Sequence, residues 1–134
     1  MPLEWELVRE WLARAQADLQ GAEVALGGRP LITEHVCFHG QQAVEKALKA
    51  FLVYHGVDFP WTHQIGPLLD LCIEQNGSFS RLVTAAVPLT EYAVRFRYPF
   101  FSPPPSLEQA RAALATAHDV FAFVTACLPD ETRP

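Results

Sequence analysis

Apolar residues recur three and four positions apart over nearly the whole chain, a period that suits helices and little else. The pattern begins at once. Trp5, Val8, Leu12, Ala15, Leu19, Ala22 and Leu26 form one stripe, while Glu4, Glu6, Arg9, Arg14, Asp18 and Glu23 occupy most of the remaining surface. Gly27-Gly28, followed by Pro30, ends this first helix after about Leu26. No run alternates apolar and polar residues strongly enough to predict a strand.

The second helix is predicted from Thr33, read as its N-cap, to about His55, with Gly56 as the terminating glycine. Val36, Ala43, Val44, Ala47, Leu48, Phe51 and Tyr54 give it so wide an apolar face that it should be the central element. Thr62 can cap a third helix over 64–75, which Asn76-Gly77 closes. A fourth helical stretch, 80–98, contains Pro88 and must either kink there or divide in two. The Pro99–Pro105 segment is too rich in proline to be helical. Ser106 and Gln109 then have the spacing of a capping box for a last helix over 107–128. The expected architecture is all-α, an antiparallel up-and-down bundle of about five helices. It occupies 1–128 as a single domain, with a frayed tail at 129–134.

A chain of 134 residues has room for one core, and 50% apolar content with 19% charge marks it as globular. The net charge of −5 argues against a broad, sequence-independent grip on nucleic acid, though not against a local phosphate site. Cys37, Cys72 and Cys127 are odd in number and lack a CxxC pair, so reduced thiols are expected rather than a disulfide framework or a zinc knuckle. The acidic N-terminus does not suit a secretion signal, and no apolar run is long enough to cross a bilayer. A cytoplasmic protein is expected, with no membrane association.

The polar residues of the second helix exceed what its position requires. His39, Gln42, Lys46 and Lys49 fall at i, i+3, i+7 and i+10, and Gln41 and Glu45 line the next stripe. Glu45 and Lys49 are also spaced for an ion pair. These groups read either as a solvated stripe or as the wall of a cleft. In the fourth stretch, Glu91 and Arg95 pair at i, i+4, and Tyr92, Arg95 and Arg97 form a second cluster. Arginine can hold a phosphate with two hydrogen bonds or stack on a base, and the same residues could equally be a structural network at a helix end. His35 and His39 share a helical face, but no third ligand lies close in sequence, so no metal site is predicted and no cofactor is expected. Packing the second and fourth helices together would set His39, Gln42 and Lys46 opposite Tyr92, Arg95 and Arg97.

Three stretches resemble one family. Cys37-Phe-His-Gly-Gln-Gln-Ala-Val-Glu-Lys-Ala-Leu-Lys-Ala-Phe-Leu52 resembles the second-helix signature of HEPN domains. Thr62-His63 before Leu68-Leu69 is similar to the next motif, and Tyr92-Ala-Val-Arg-Phe-Arg-Tyr-Pro99 to the fourth-helix signature. The resemblance implies a bundle of about five helices and, for many members, a dimer. It also implies partnership with a minimal nucleotidyltransferase in toxin–antitoxin-like systems, with binding of nucleotide or RNA. Some members are metal-independent ribonucleases that use an Arg, a spacer of four to six residues and a His. Here neither Arg95 nor Arg97 is followed by such a histidine. Arg29 and His35 have the spacing but lie in a loop and at the start of the second helix. The expected function is therefore a non-catalytic binding or regulatory module, with ligand-binding candidates His39, Gln42, Lys46, Lys49, Tyr92, Arg95 and Arg97. Two alternatives stand beside it. One is a ribonuclease toxin with His39, Arg95 and Arg97 as its catalytic groups, and the other is a purely structural dimerisation domain. Trp5, Trp11, Phe59, Trp61, Phe100 and Phe101 supply more aromatic surface than a small monomer easily hides, so a homodimer or hetero-complex is expected, with the Pro99–Pro105 loop at or near the interface.

Overall fold

The computed structural model describes residues 3–97 and 103–134, and the side chains at 3 and 95–97 lie outside that description. It is all-helical among the described residues. The elements are α1 (Leu3–Leu26), α2 (Thr33–Tyr54), α3 (Ile65–Gln75), the single turn α4 (Val83–Ala86), α5 (Thr90–Arg97) and α6 (Leu107–Ala126). Tight 3-10 turns at Gly77–Leu82 and Val87–Leu89 flank α4. Among the described residues, five helices of eight residues or more thus build the bundle.

The first stripe packs as its period requires, with Val8, Leu12, Ala15, Leu19 and Ala22 all buried. Helix α2 is the centre. It packs along α1, α6, α5 and α3, and even its polar residues Gln41, Glu45 and Lys49 are buried. Helices α2 and α6 approach closely because both present small residues at their crossing. A Cβ on Gly40 would stand 3.4 Å from the carbonyl oxygen of Ala113. Gly56, at φ 67°, ends α2 in the left-handed conformation that an L side chain resists. The amides of Val57 and Gly56 return to the carbonyls of Leu52 and Val53 at 2.9 and 3.0 Å, a Schellman closure.

Several local expectations are corrected by tertiary partners. Thr33 does not cap α2, which has Ile32 at its N-cap and no side-chain cap. The Thr33 hydroxyl donates instead to the Pro105 carbonyl at 2.7 Å, strapping the loop before α6 onto the start of α2. Thr62 accepts from the Gln64 amide at 3.0 Å, one residue short of the helix. The first amide of α3, that of Ile65, donates to Thr90 Oγ1 at 3.0 Å, so the cap comes from the start of α5. Pro88 divides the fourth stretch into the turn-and-helix succession above, because it cannot supply the amide a continuous helix needs. The Ser106–Gln109 capping box forms as expected, although α6 stops at Ala126, two residues early.

The tail expected to fray is instead a built turn. Asp130–Thr132 is helical in the 3-10 sense, Thr132 is fully buried, and the Arg9 guanidinium donates to the Glu131 carbonyl at 2.8 and 3.2 Å. A run as polar as PDETRP offers no periodicity, so only its contact with α1 reveals this. None of the three cysteines forms a disulfide; Cys37 and Cys72 are buried and Cys127 is half-buried. No helix among the described residues is long and apolar enough to cross a membrane.

Candidate functional site

The polar residues of α2 form two networks, one on each side of the helix. On the α1 side, Asp18 accepts from both His39 and Lys46. His39 Nδ1 donates to Oδ1 at 3.0 Å, and Lys46 Nζ donates to Oδ2 at 2.6 Å. Asp18 is 14% exposed and Lys46 23%, so this is an interior ion pair with one open edge. The open edge is the His39 ring, which lies over Gly21, where an added Cβ would stand 3.4 Å from the ring. That contact explains a glycine in the middle of α1, where it is otherwise unfavourable by about 1 kcal/mol.

On the α3 side, Glu45 is the hub. Its Oε1 accepts from His63 Nδ1 at 2.8 Å and from Gln41 Nε2 at 3.4 Å, and its Oε2 accepts from Lys49 at 3.3 Å. Gln41 Nε2 also donates to the His63 carbonyl at 2.9 Å, and Gln42 donates to Gln41 Oε1 at 2.6 Å. The Glu45 and Lys49 side chains are each only 4% exposed. A buried ammonium needs both a counter-ion and a favourable shell, and Lys49 has both. Its Nζ stands 5.5 to 5.8 Å from the rings of Trp11, Phe59 and Trp61, within cation–π range. No buried side-chain nitrogen or oxygen among the described residues lacks a partner.

The structure places His39, Gln42, Lys46 and Lys49 on one helix but sends them to different partners, His39 and Lys46 to Asp18, Lys49 to Glu45 and Gln42 to Gln41. His39 and Lys46 face Asp18 of α1 rather than α5. Tyr92 is buried on α5, which does pack against α2. The side chains of Arg95 and Arg97 lie outside the described residues. Sequence reasoning did not reach Asp18 and His63 as network members. Asp18 is 28 positions from Lys46, and no local spacing links them. His63 belonged to a motif, yet nothing nearby pointed it at Glu45. Arg29 and His35 are both exposed, in the loop before α2 and in its first turn. No group of three or more His, Cys, Asp or Glu among the described residues could hold a metal ion.

A helical bundle whose central helix carries this internally paired polar band defines the class of protein. The HEPN domain model matches residues 8–127, and the chain belongs to the HEPN family. In fold it is similar to TT1696 from Thermus thermophilus, a crystal structure with 32% sequence identity and a TM-score of 0.75. The match covers 90% of this chain and 98% of that one. No curated protein matches the chain.

Proposed function

We propose that this HEPN domain is a non-catalytic binding and regulatory module that associates with a minimal nucleotidyltransferase. The observation that carries this reading is the commitment of the α2 cations. Lys46 and Lys49 are each held by a carboxylate of the same chain, at 2.6 and 3.3 Å. A ribonuclease site needs a cation free to meet a developing phosphorane, and these two are neutralised in place. Lys46 ties α2 to Asp18 of α1, and Lys49 is held within α2 by Glu45. What remains open on α2 is the edge formed by the His39 ring and Gln42. That edge is where the module would hold a nucleotide or an RNA end, with Arg95 and Arg97 of α5 as separate ligand candidates.

A second reading has one specific support. The Asp18–His39 pair orients an imidazole through Nδ1, as an acid–base catalyst requires. One set of experiments separates the two. The chain is co-expressed with a minimal nucleotidyltransferase, and the purified protein is titrated with ATP and a short RNA. The binding reading expects a stable complex, no RNA cleavage in EDTA, and about tenfold weaker nucleotide binding in Arg95→Ala at an unchanged thermal midpoint. RNA cleavage in EDTA that His39→Ala abolishes would establish the ribonuclease instead. Wild-type protein that neither binds nor cleaves, with a large stability loss in Arg95→Ala, would leave the cluster purely structural.

A further inference from the structure

We propose that the groove between the start of α1 and the 57–61 loop docks a basic amphipathic segment of a partner protein. This names a surface and a partner chemistry for the module described above, and it rests on that reading. The groove encloses about 510 Å³ and is lined by Leu7 and Trp11 from α1, Val53 from α2, and Val57, Phe59 and Trp61 from the loop. Trp61 is 94% exposed and Leu7 50%. A large indole left almost wholly in water beside an apolar trough is the composition of a binding anchor, since tryptophan supplies much contact area for little lost side-chain freedom. The floor is rigid. Lys49 lies beneath the three aromatic rings and is itself fixed by Glu45.

Charge decides the occupant. Glu4, Glu6 and Glu10 rim a shallow continuation of the groove across Leu7, and Asp58 lines the groove itself. Among the described residues, Glu4, Glu6 and Asp58 have no cationic partner. Glu10 alone is paired, with Arg14 at 3.2 Å, while Arg9 is turned to the Glu131 carbonyl and Lys49 is spent on Glu45. Phosphate-bearing RNA would meet repulsion at this rim. A second copy of the chain carries the same net charge of −5. A segment presenting apolar residues at i, i+3 and i+7, flanked by Lys or Arg, satisfies both the trough and the rim.

The test uses a fluorescent helical peptide with leucine at those positions and lysine between them, and its counterpart with glutamate in place of lysine. By anisotropy, the lysine peptide is expected to bind wild-type protein and the glutamate peptide not. Trp61→Ser and Leu7→Ser should each weaken binding about tenfold. Glu6→Gln with Glu10→Gln should weaken it several-fold and flatten its salt dependence. Both apolar positions are exposed, and unchanged melting curves verify that the variants fold. Failure of the lysine peptide to bind, or equal binding by Trp61→Ser, overturns the inference. So does a short RNA that binds wild type and is lost in Trp61→Ser, or a wild-type dimer that Trp61→Ser dissolves. Capture of the nucleotidyltransferase by wild type should also be lost in Trp61→Ser, and capture that survives the substitution removes the groove while leaving the module reading intact. If wild type captures no nucleotidyltransferase, that reading falls and the peptide titration alone decides the groove.

Discussion

Glu45 shows how a single buried carboxylate organises its surroundings. It neutralises Lys49, orients His63 and receives Gln41, all from a position 3% exposed. Glu45→Gln would leave the Lys49 ammonium buried without an anion, at an expected cost of about 3–5 kcal/mol in urea unfolding. Replacing both partners, Glu45→Gln with Lys49→Met, should cost less than Glu45→Gln alone, because no uncompensated charge stays inside. A double-mutant cycle reads the difference directly. The thiols give a second residue-scale test. Burial pushes Cys72 up to about 12 from its ordinary value of 9.0, and burial also raises Cys127 against the opposing charge of Arg81. Native protein treated with iodoacetamide at pH 8 should leave Cys37 and Cys72 unmodified and label Cys127 slowly, whereas all three react in guanidinium, as mass spectrometry would report. Above about pH 9 the unfolded chain releases the Cys72 proton while the folded protein retains it. Stability therefore declines as pH rises, until the folded thiol also ionises near pH 12.

Among the elements, α2 and α6 depend on a close approach, and α6 also on its first turn. Gly40→Leu would drive side-chain atoms into the Ala113 backbone, where even a Cβ stands at 3.4 Å, and should cost about 1–3 kcal/mol or more through overpacking. Ser106→Ala removes a cap whose oxygen accepts from the Gln109 amide at 3.0 Å, and should cost about 1 kcal/mol. Chemical denaturation of the two variants would order them in that sequence. The Ser106 box was legible because both of its hydrogen bonds close within four residues. The Thr33 and Thr62 caps were not, because the competing partners, the Pro105 carbonyl and Thr90, lie far along the chain.

Taken as a whole molecule, the chain is closed at its end by contact rather than by periodicity. The C-terminal turn packs Thr132 inside and ties Glu131 to Arg9. Ending the chain after Leu128 should leave the bundle folded but lower its stability by about 1–2 kcal/mol, or roughly 3–10 °C in Tm. A tail that truly frayed would leave Tm unmoved. The same scale governs charge. Acidic groups gather around the start of α1, while the lysines of α2 are consumed internally, which directs the search for partners toward basic protein surfaces at that end.

The sequence by itself determined that the chain is helical, roughly where each helix runs, that α2 lies at the centre, and that three of its stretches resemble the HEPN signatures. Each of these rests on spacing within a few turns, where side chains i, i+3 and i+4 meet without help from distant residues. The Glu45–Lys49 pair was legible for the same reason, and the structure holds it at 3.3 Å. The stripe of His39 and Lys46 was legible as a stripe, but its destination was not. Only the tertiary structure decided that it faces Asp18, that Gly21 makes room for the His39 ring, that His63 turns back to Glu45, and that Trp61 stands in solvent above a rimmed groove. These are contacts between separate helices or loops. A polar side chain takes whichever partner the packed backbone brings within about 3 Å, and no local period encodes that choice.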